Sequence, residues 1–507
     1  MNMAKKVKAK EMSMKRVSVL ALAVFGSITA SAAFDLKVSL WRGESLSVIV
    51  PDECPDIGKS APGIEVRKGT LLPVRYKDAN PKSLEYHTVA DRAVYGSTAP
   101  GIHFATVTAS ADAKPGTYAL GQLVVTVVDR VLPSAKEWKY YLDLWQHPWA
   151  VARTSGTTPF SEEHYEAMRP LWRMLAEAGQ KTLTVTLVDE PWNHQCYDAY
   201  HSMIVRRRDA DGKWSFDYSV FDRYVEFGRS CGLGPHISCY TMCPWGYKVD
   251  YVDADGKTVR VEAKPGTPFF DDCWGDFLVD FSKHLDEKGW LKDAYIAMDE
   301  RSPEDLAYIV KFVRRVAPGL KIAMAGNRSP GDFKGIEIDS YSQSMSHIEH
   351  QFKSFVEDVA ARRASGKVTT YYVCCGPARP NTFMSSGVGE AFVCGFYPAV
   401  CGFDGFLRWA YNSWGEDPCN DMTYTRWTAG DVALVYPDGS PSWRFLELKN
   451  GIQAAEKFWI LRAKGGRDAE LDAFAAKFDL KALLSGTDYI GLRKAAFEVL
   501  NAEYKGE

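Results

Sequence analysis

The stretch Ala294-Tyr-Ile-Ala-Met-Asp-Glu-Arg-Ser-Pro-Glu-Asp305 decides how this chain reads. Its first five residues are apolar and β-prone, and they run into two adjacent carboxylates, Asp299 and Glu300. Ser302-Pro303-Glu304-Asp305 then spells a helix start: Ser caps, Pro suits the first helical position, and acids suit the positive end of the dipole. A strand that ends in acids and turns at once into a helix is the unit from which a (β/α)8 barrel builds its catalytic face. Two carboxyls in unlike surroundings can divide acid and base work, the chemistry of glycoside cleavage. A pair that merely capped a loop would look the same locally, so the surrounding chain has to decide.

Around that stretch the rhythm is strand, then helix, repeated from Trp138 onward. The spacing predicts strands at Tyr140–Trp145, Thr182–Val188, His236–Thr241, Ala294–Met298, Lys321–Ala325, Glu337–Tyr341, Thr370–Cys374 and Gly405–Ala410. Amphipathic stretches separate most of them, at Glu162–Ala178, Val220–Cys231, Trp274–Glu287, Glu304–Val316 and Ile348–Ala364. About eight such units in roughly 300 residues predict an α/β fold of the (β/α)8, or TIM-barrel, type. No glycine-rich phosphate loop follows the first strand, as a doubly wound sheet would need. Asp189–Phe216 is a long excursion, expected to be a lid or rim.

Before the barrel, Phe34 to Arg130 is a series of short alternating runs broken by Pro, Gly and Asp, the pattern of an all-β sandwich. After it, Ser442–Leu461 places Leu446, Leu448, Ile452, Ala455 and Phe458 on one helical face, and the remaining tail is helical in composition. The expected domains are a sandwich at 33–133, a barrel at 134–430 and a barrel-closing helix with a helical C-terminal region at 431–507. Residues 1–32 read as an export signal. Lys5, Lys6, Lys8, Lys10, Lys15 and Arg16 precede an apolar run from Val17 to Ile28, and Ala30-Ser31-Ala32 offers a cleavage site. The expectation is an exported protein, periplasmic or secreted, cut near Ala32. The apolar run is too short for a spanning helix, and no later segment resembles one.

Composition narrows the partners. A net charge of -3 over 507 residues gives no footprint for nucleic acid or an anionic membrane. The 11 cysteines form no zinc-type spacing and predict one or two disulfides at most. An aromatic share of 13%, with 15 Trp, suits stacking on sugar faces as well as core packing.

In a barrel, residues at strand C-termini share one mouth. They are Trp145, His147 and Trp149; Asp189 and Glu190; Tyr240 and Cys243; Asp299 and Glu300; Asn327 and Arg328; Tyr341 and Gln343; Cys375 with Asn381; and Trp409, Tyr411, Asn412 and Trp414. Acids, amides and aromatics around one opening describe a carbohydrate site better than a phosphate or metal site, and no metal or organic cofactor is called for. Asp189-Glu190-Pro191-Trp192 competes for the catalytic role. Glu416-Asp417 lies past the last strand and reads as rim.

Several segments resemble glycoside hydrolase family 123: Tyr140-Tyr-Leu-Asp-Leu-Trp-Gln-His-Pro-Trp149, the Asp299-Glu300 pair and Gly405-Phe-Leu-Arg-Trp-Ala-Tyr-Asn-Ser-Trp414. Ala429-Gly-Asp-Val-Ala-Leu-Val-Tyr-Pro437 and Arg444-Phe-Leu-Glu-Leu-Lys-Asn-Gly451 extend the likeness, which spans about Trp138 to Leu461. The resemblance implies a β-N-acetylgalactosaminidase with an N-terminal sandwich and a barrel, acting on a glycan or glycolipid with a terminal N-acetylhexosamine. It implies substrate-assisted retention, in which the sugar's 2-acetamido oxygen is the nucleophile. Glu300 would be the acid and base, and Asp299 would hold the acetamido N–H. Tyr341 would orient the acetamido oxygen, and Trp409, Tyr411 and Trp414 would wall its methyl group. Trp145, His147, Tyr240, Asn327 and Asn412 are the further candidate substrate contacts. Two other readings stay open: a double-displacement glycosidase using Asp189 or Glu190, and a non-catalytic sugar-binding protein.

Overall fold

A computed structural model describes residues 36–51, 60–77, 85–328, 330–333, 335–348, 352–424 and 426–502, so the predicted export signal lies outside the described residues. The first seven strands are β1 (Lys37–Arg42), β2 (Ser45–Val50), β3 (Ile64–Lys77), β4 (Tyr86–Tyr95), β5 (Ile102–Ala109), β6 (Gly116–Leu120) and β7 (Leu123–Val131). They form two sheets, ordered β1-β7-β6 and β2-β5-β3-β4. Alternation puts Leu40, Val48, Val107 and Val125 between the sheets in one shared core, which makes this unit a sandwich.

The chain then enters β8 (Tyr141–Leu144), α1 (Pro148–Ser155), α2 (Glu162–Ala176), β9 (Thr182–Thr186), β10 (Val205–Arg208), β11 (Trp214–Asp217), α3 (Ser219–Ser230) and β12 (His236–Tyr240). It continues through β13 (Lys248–Val252), β14 (Thr258–Glu262), α4 (Pro268–Glu287), β15 (Ala294–Asp299), α5 (Pro303–Val316), β16 (Lys321–Gly326) and β17 (Ser340–Ser344). Next come α6 (Phe352–Ala364), β18 (Val368–Tyr372), α7 (Glu390–Cys401) and β19 (Gly405–Arg408). The C-terminal helices are α8 (Trp443–Lys464), α9 (Asp468–Ala475), α10 (Leu480–Ser485) and α11 (Tyr489–Asn501).

Eight parallel strands run in the order β8-β19-β18-β17-β16-β15-β12-β9, a nearly closed TIM-like barrel. The expected fold class holds. The seam between β9 and β8 has one backbone bridge, Leu142 to Gln180. Side-chain amides complete it. Gln180 Oε1 accepts from Leu144 N–H at 3.0 Å and its Nε2 donates to the Leu144 carbonyl at 3.1 Å, while Gln146 Oε1 accepts from Thr184 N–H at 2.9 Å. The helix start read at Ser302 is present: Ser302 Oγ accepts from Asp305 N–H at 3.1 Å.

Three features depart from the sequence expectation. The sixth barrel strand is Ser340–Ser344 rather than Glu337–Tyr341. The excursion after β9 and a hairpin after β12 pair as a separate four-stranded sheet, β11-β10-β13-β14, of which only the first half was expected as a rim element. Finally, α7 carries almost no exposed face, so it lacks the amphipathic pattern that betrays a surface helix. Among the described residues, Cys196, Cys231, Cys239, Cys243, Cys273, Cys374, Cys375, Cys394, Cys401 and Cys419 are free thiols, within the expected limit of one or two bridges at most. No described helix is long and apolar enough to cross a membrane.

Candidate active site

Strand alternation alone would point Asp299 and Glu300 to opposite faces of the barrel wall. The backbone resolves this. β15 ends at Asp299, which faces the mouth, and Glu300 follows in the left-handed region with φ 42°. Its N–H still donates to the Ala325 carbonyl at 2.7 Å, so the chain stays anchored to β16 while the side chain turns inward. Both carboxyls then serve one opening. Glu300 Oε1 accepts from the Tyr372 hydroxyl at 2.5 Å, and its Oε2 lies 3.3 Å from Asn327 Nδ2. Asp299 Oδ2 accepts from the Trp245 indole N–H at 2.9 Å.

The electrostatics follow from that crowding. Desolvation, then the Glu300 charge, pushes the Asp299 carboxyl up to about 7, and the Trp245 hydrogen bond and Arg301 oppose the rise. Arg301 donates from Nε to the Asp299 carbonyl at 2.8 Å and stacks under Trp245, 4.2 Å from the ring centroid. Trp245 is 37% exposed, an indole that opens to solvent on one side and touches a carboxylate with its edge. Burial and the neighbouring Glu300 raise the Tyr372 phenol well above its ordinary range, so it stays a donor.

The other sequence candidates divide sharply. Asn327 is at the mouth, and Trp409 is half-buried, edge-on to Trp427 at 5.6 Å. Trp145 and Tyr240 are almost wholly buried and pack together at 4.6 Å, with Trp192 stacked on Trp145 at 5.2 Å, an aromatic cluster at the ends of β8 and β12. Four residues need correction as substrate contacts. His147 is fully buried, stacked on Tyr200 at 3.6 Å, and burial pushes its imidazole down to about 3. Asn412 holds the His147 backbone from both sides, at 2.8 and 3.0 Å, and so clamps two loops together. Tyr411 donates to the Leu171 carbonyl at 3.0 Å and Trp414 to the Val435 carbonyl at 2.6 Å, both in the core.

Tyr341 is a fifth correction. With β17 beginning at Ser340, it is the second residue of its strand and faces outward, donating to the Arg328 carbonyl with Arg362 6.0 Å from its ring. The tyrosine at the mouth is Tyr372, which sequence reasoning passed over. Its signal was available in the alternation of β18, where Thr370 and Tyr372 share the inner face. Trp245 and Arg301 were also missed, because loop geometry rather than periodicity aims them. Asp189 and Glu190 are engaged by their own excursion: Asp189 with His201 Nδ1 at 3.0 Å, and Glu190 with the His194 N–H at 2.9 Å.

The model of the glycoside hydrolase 123 catalytic domain matches residues 145–461. The chain belongs to glycoside hydrolase family 123. A solved family 123 glycoside hydrolase from Clostridium perfringens, studied for glycolipid glycan hydrolysis, is 24% identical, covers 92% of each chain and superposes with a TM-score of 0.80. A β-amylase catalytic domain from Paenibacillus polymyxa is far more distant, at 10% identity over 64% of this chain and 99% of its own, with a TM-score of 0.35. No curated protein matches the chain. As a family 123 member with this barrel it is a glycoside hydrolase rather than a sugar-binding scaffold.

Proposed function

We propose that this enzyme is a retaining exo-glycosidase that removes terminal β-N-acetylgalactosamine from glycans or glycolipids by substrate-assisted catalysis. The observation that carries the reading is the left-handed Glu300, which brings two neighbouring carboxyls to one mouth without making them a facing pair across the sugar. The acetamido oxygen then attacks the anomeric carbon as the glycosidic bond breaks, and Glu300 gives its proton to the departing oxygen. Asp299 accepts the acetamido N–H and stabilises the oxazolinium charge. Water, deprotonated by Glu300, then opens the ring. Burial, then the charge of the adjacent Glu300, holds the Asp299 carboxyl up at about 7, and the Trp245 N–H favours the ionised form that the Asp299 role requires. Tyr372 is the hydroxyl donor at the mouth. The glycolipid class of substrate is supported by the Clostridium perfringens relative. The predicted export signal supports work outside the cytoplasm.

Hydrolysis of matched aryl β-N-acetylgalactosaminide, β-N-acetylglucosaminide and plain β-galactoside tests this. The galactosaminide should be preferred, the 2-hydroxyl analogue should be nearly inert, and a thiazoline should inhibit. Brisk cleavage of the β-galactoside, or a covalent sugar trapped on Asp189 or Glu190, would overturn it.

A further inference from the structure

Past Tyr372, the last residue of β18, the chain folds tightly back. Cys374 N–H donates to the Gly376 carbonyl at 3.1 Å, and buried Asn381 clamps the turn by donating from Nδ2 to the carbonyls of Cys374 and Pro377 at 3.0 and 2.7 Å. Arg408 Nη1 in turn holds Asn381 Oδ1 at 3.1 Å. Adjacent side chains on an extended strand would diverge. Here the turn brings the two sulfurs of Cys374 and Cys375 to 3.7 Å. Cys375 is exposed, unlike Cys231, Cys239, Cys243, Cys273, Cys394 and Cys401, which are buried.

We propose that Cys374 and Cys375 form a bidentate dithiol site at the catalytic mouth for thiophilic centres that take two sulfurs at once, and that its occupation blocks hydrolysis. Two thiolates held tetrahedrally about 2.3 Å from one soft centre lie about 3.8 Å apart, close to the spacing already present. The Cys374 hydrogen bond draws the Cys375 thiol down to about 7, opposed by desolvation and by the charges of Asp431 and Glu300, so Cys375 makes the first bond. The proximity to Glu300 and the shared strand end with Tyr372 explain why a bound group would obstruct the acid. That second clause rests on the glycosidase reading; the site itself does not.

Phenylarsine oxide is a suitable probe because its reaction needs no oxidant. Two S–H bonds and the arsenic–oxygen bond break, two arsenic–sulfur bonds form, and water leaves. Intact-mass measurement should show one phenylarsenic group per chain, released by dithiothreitol but not by a monothiol, and shielding Cys375 from iodoacetamide. Cys374→Ser and Cys375→Ser should each weaken uptake about 100-fold, the gain lost when the second contact is no longer intramolecular. Turnover of an aryl glycoside, measured against each variant's own untreated rate, should fall by at least ~10-fold only in the wild type. Unchanged uptake by either single variant would overturn the site, and a stoichiometric adduct on this pair with full turnover would overturn the blockade. The mass readout decides the site whichever glycoside the enzyme prefers.

Discussion

Glu300 keeps a left-handed backbone that costs a non-glycine residue roughly 1–3 kcal/mol, and its hydrogen bonds to Ala325, Tyr372 and Asn327 hold it there. The acid role predicts that Glu300→Gln abolishes turnover of glycans with sugar leaving groups but spares activated aryl glycosides far more, since a phenol of low pKa needs little protonation. Equal losses on both substrates would remove Glu300 from that role. Trp245 acts on the other carboxyl. Its N–H stabilises the ionised form of Asp299, so Trp245→Phe should raise that pKa further above 7, by about one unit for one lost charge-assisted bond. Less Asp299 is then ionised at any given pH, and the acidic limb of kcat/KM moves to higher pH. A uniform loss at every pH would mean that the indole only packs.

The seam of the barrel depends on two side chains behaving as backbone. Gln180 supplies both an acceptor and a donor to Leu144, where a ninth strand-like partner would otherwise be needed. Gln180→Leu fills the same space but leaves the buried Leu144 N–H unpaired, at a cost of about 1–3 kcal/mol, while the Leu144 carbonyl keeps Gln146 Nε2 as a donor. The urea midpoint should fall accordingly, and activity should fall with it, because β8 and β9 carry Trp145 and the Asp189 excursion on either side of the seam. An unchanged midpoint would show that water repairs the gap. The elements themselves were mostly readable, since caps such as Ser302, the alternation in β9 and the apolar run of β15 are local signals. The sixth strand was not. Its core run, Ser340-Tyr-Ser-Gln-Ser344, is polar because small serines line the barrel interior, so hydrophobic periodicity pointed three residues too early and put Tyr341 at the mouth.

Sandwich, barrel and C-terminal helices are joined through α8. Lys457 Nζ meets Glu44 at 2.8 Å, Arg444 meets Asp91 at 3.0 Å, and Asn450 and Gln453 pair with the backbone of β2. These groups are buried, so removing one partner strands a charge. Glu44→Gln should cost about 3–5 kcal/mol and lower the melting temperature of the whole chain in one transition, with the rate per folded molecule at low temperature unchanged. Two separate transitions would show that the sandwich and the barrel unfold independently.

The residues alone carry the alternating β-then-βα rhythm, the closing helix and the Asp299-Glu300 pair at a strand end, because each is written in neighbours a few positions apart. Membership of family 123 was legible for the same reason. Which aromatic reaches the mouth was decided only in three dimensions. Tyr341 and Tyr372 look alike as strand tyrosines, and a shift in strand register sends one outward and the other to Glu300. His147, Tyr411, Asn412 and Trp414 follow strand ends as a site residue should, yet long-range packing takes them into the core. The convergence of Glu300 with Asp299 likewise needed a backbone angle that only the contacts of β16 and β18 enforce, since strand alternation by itself would have parted them.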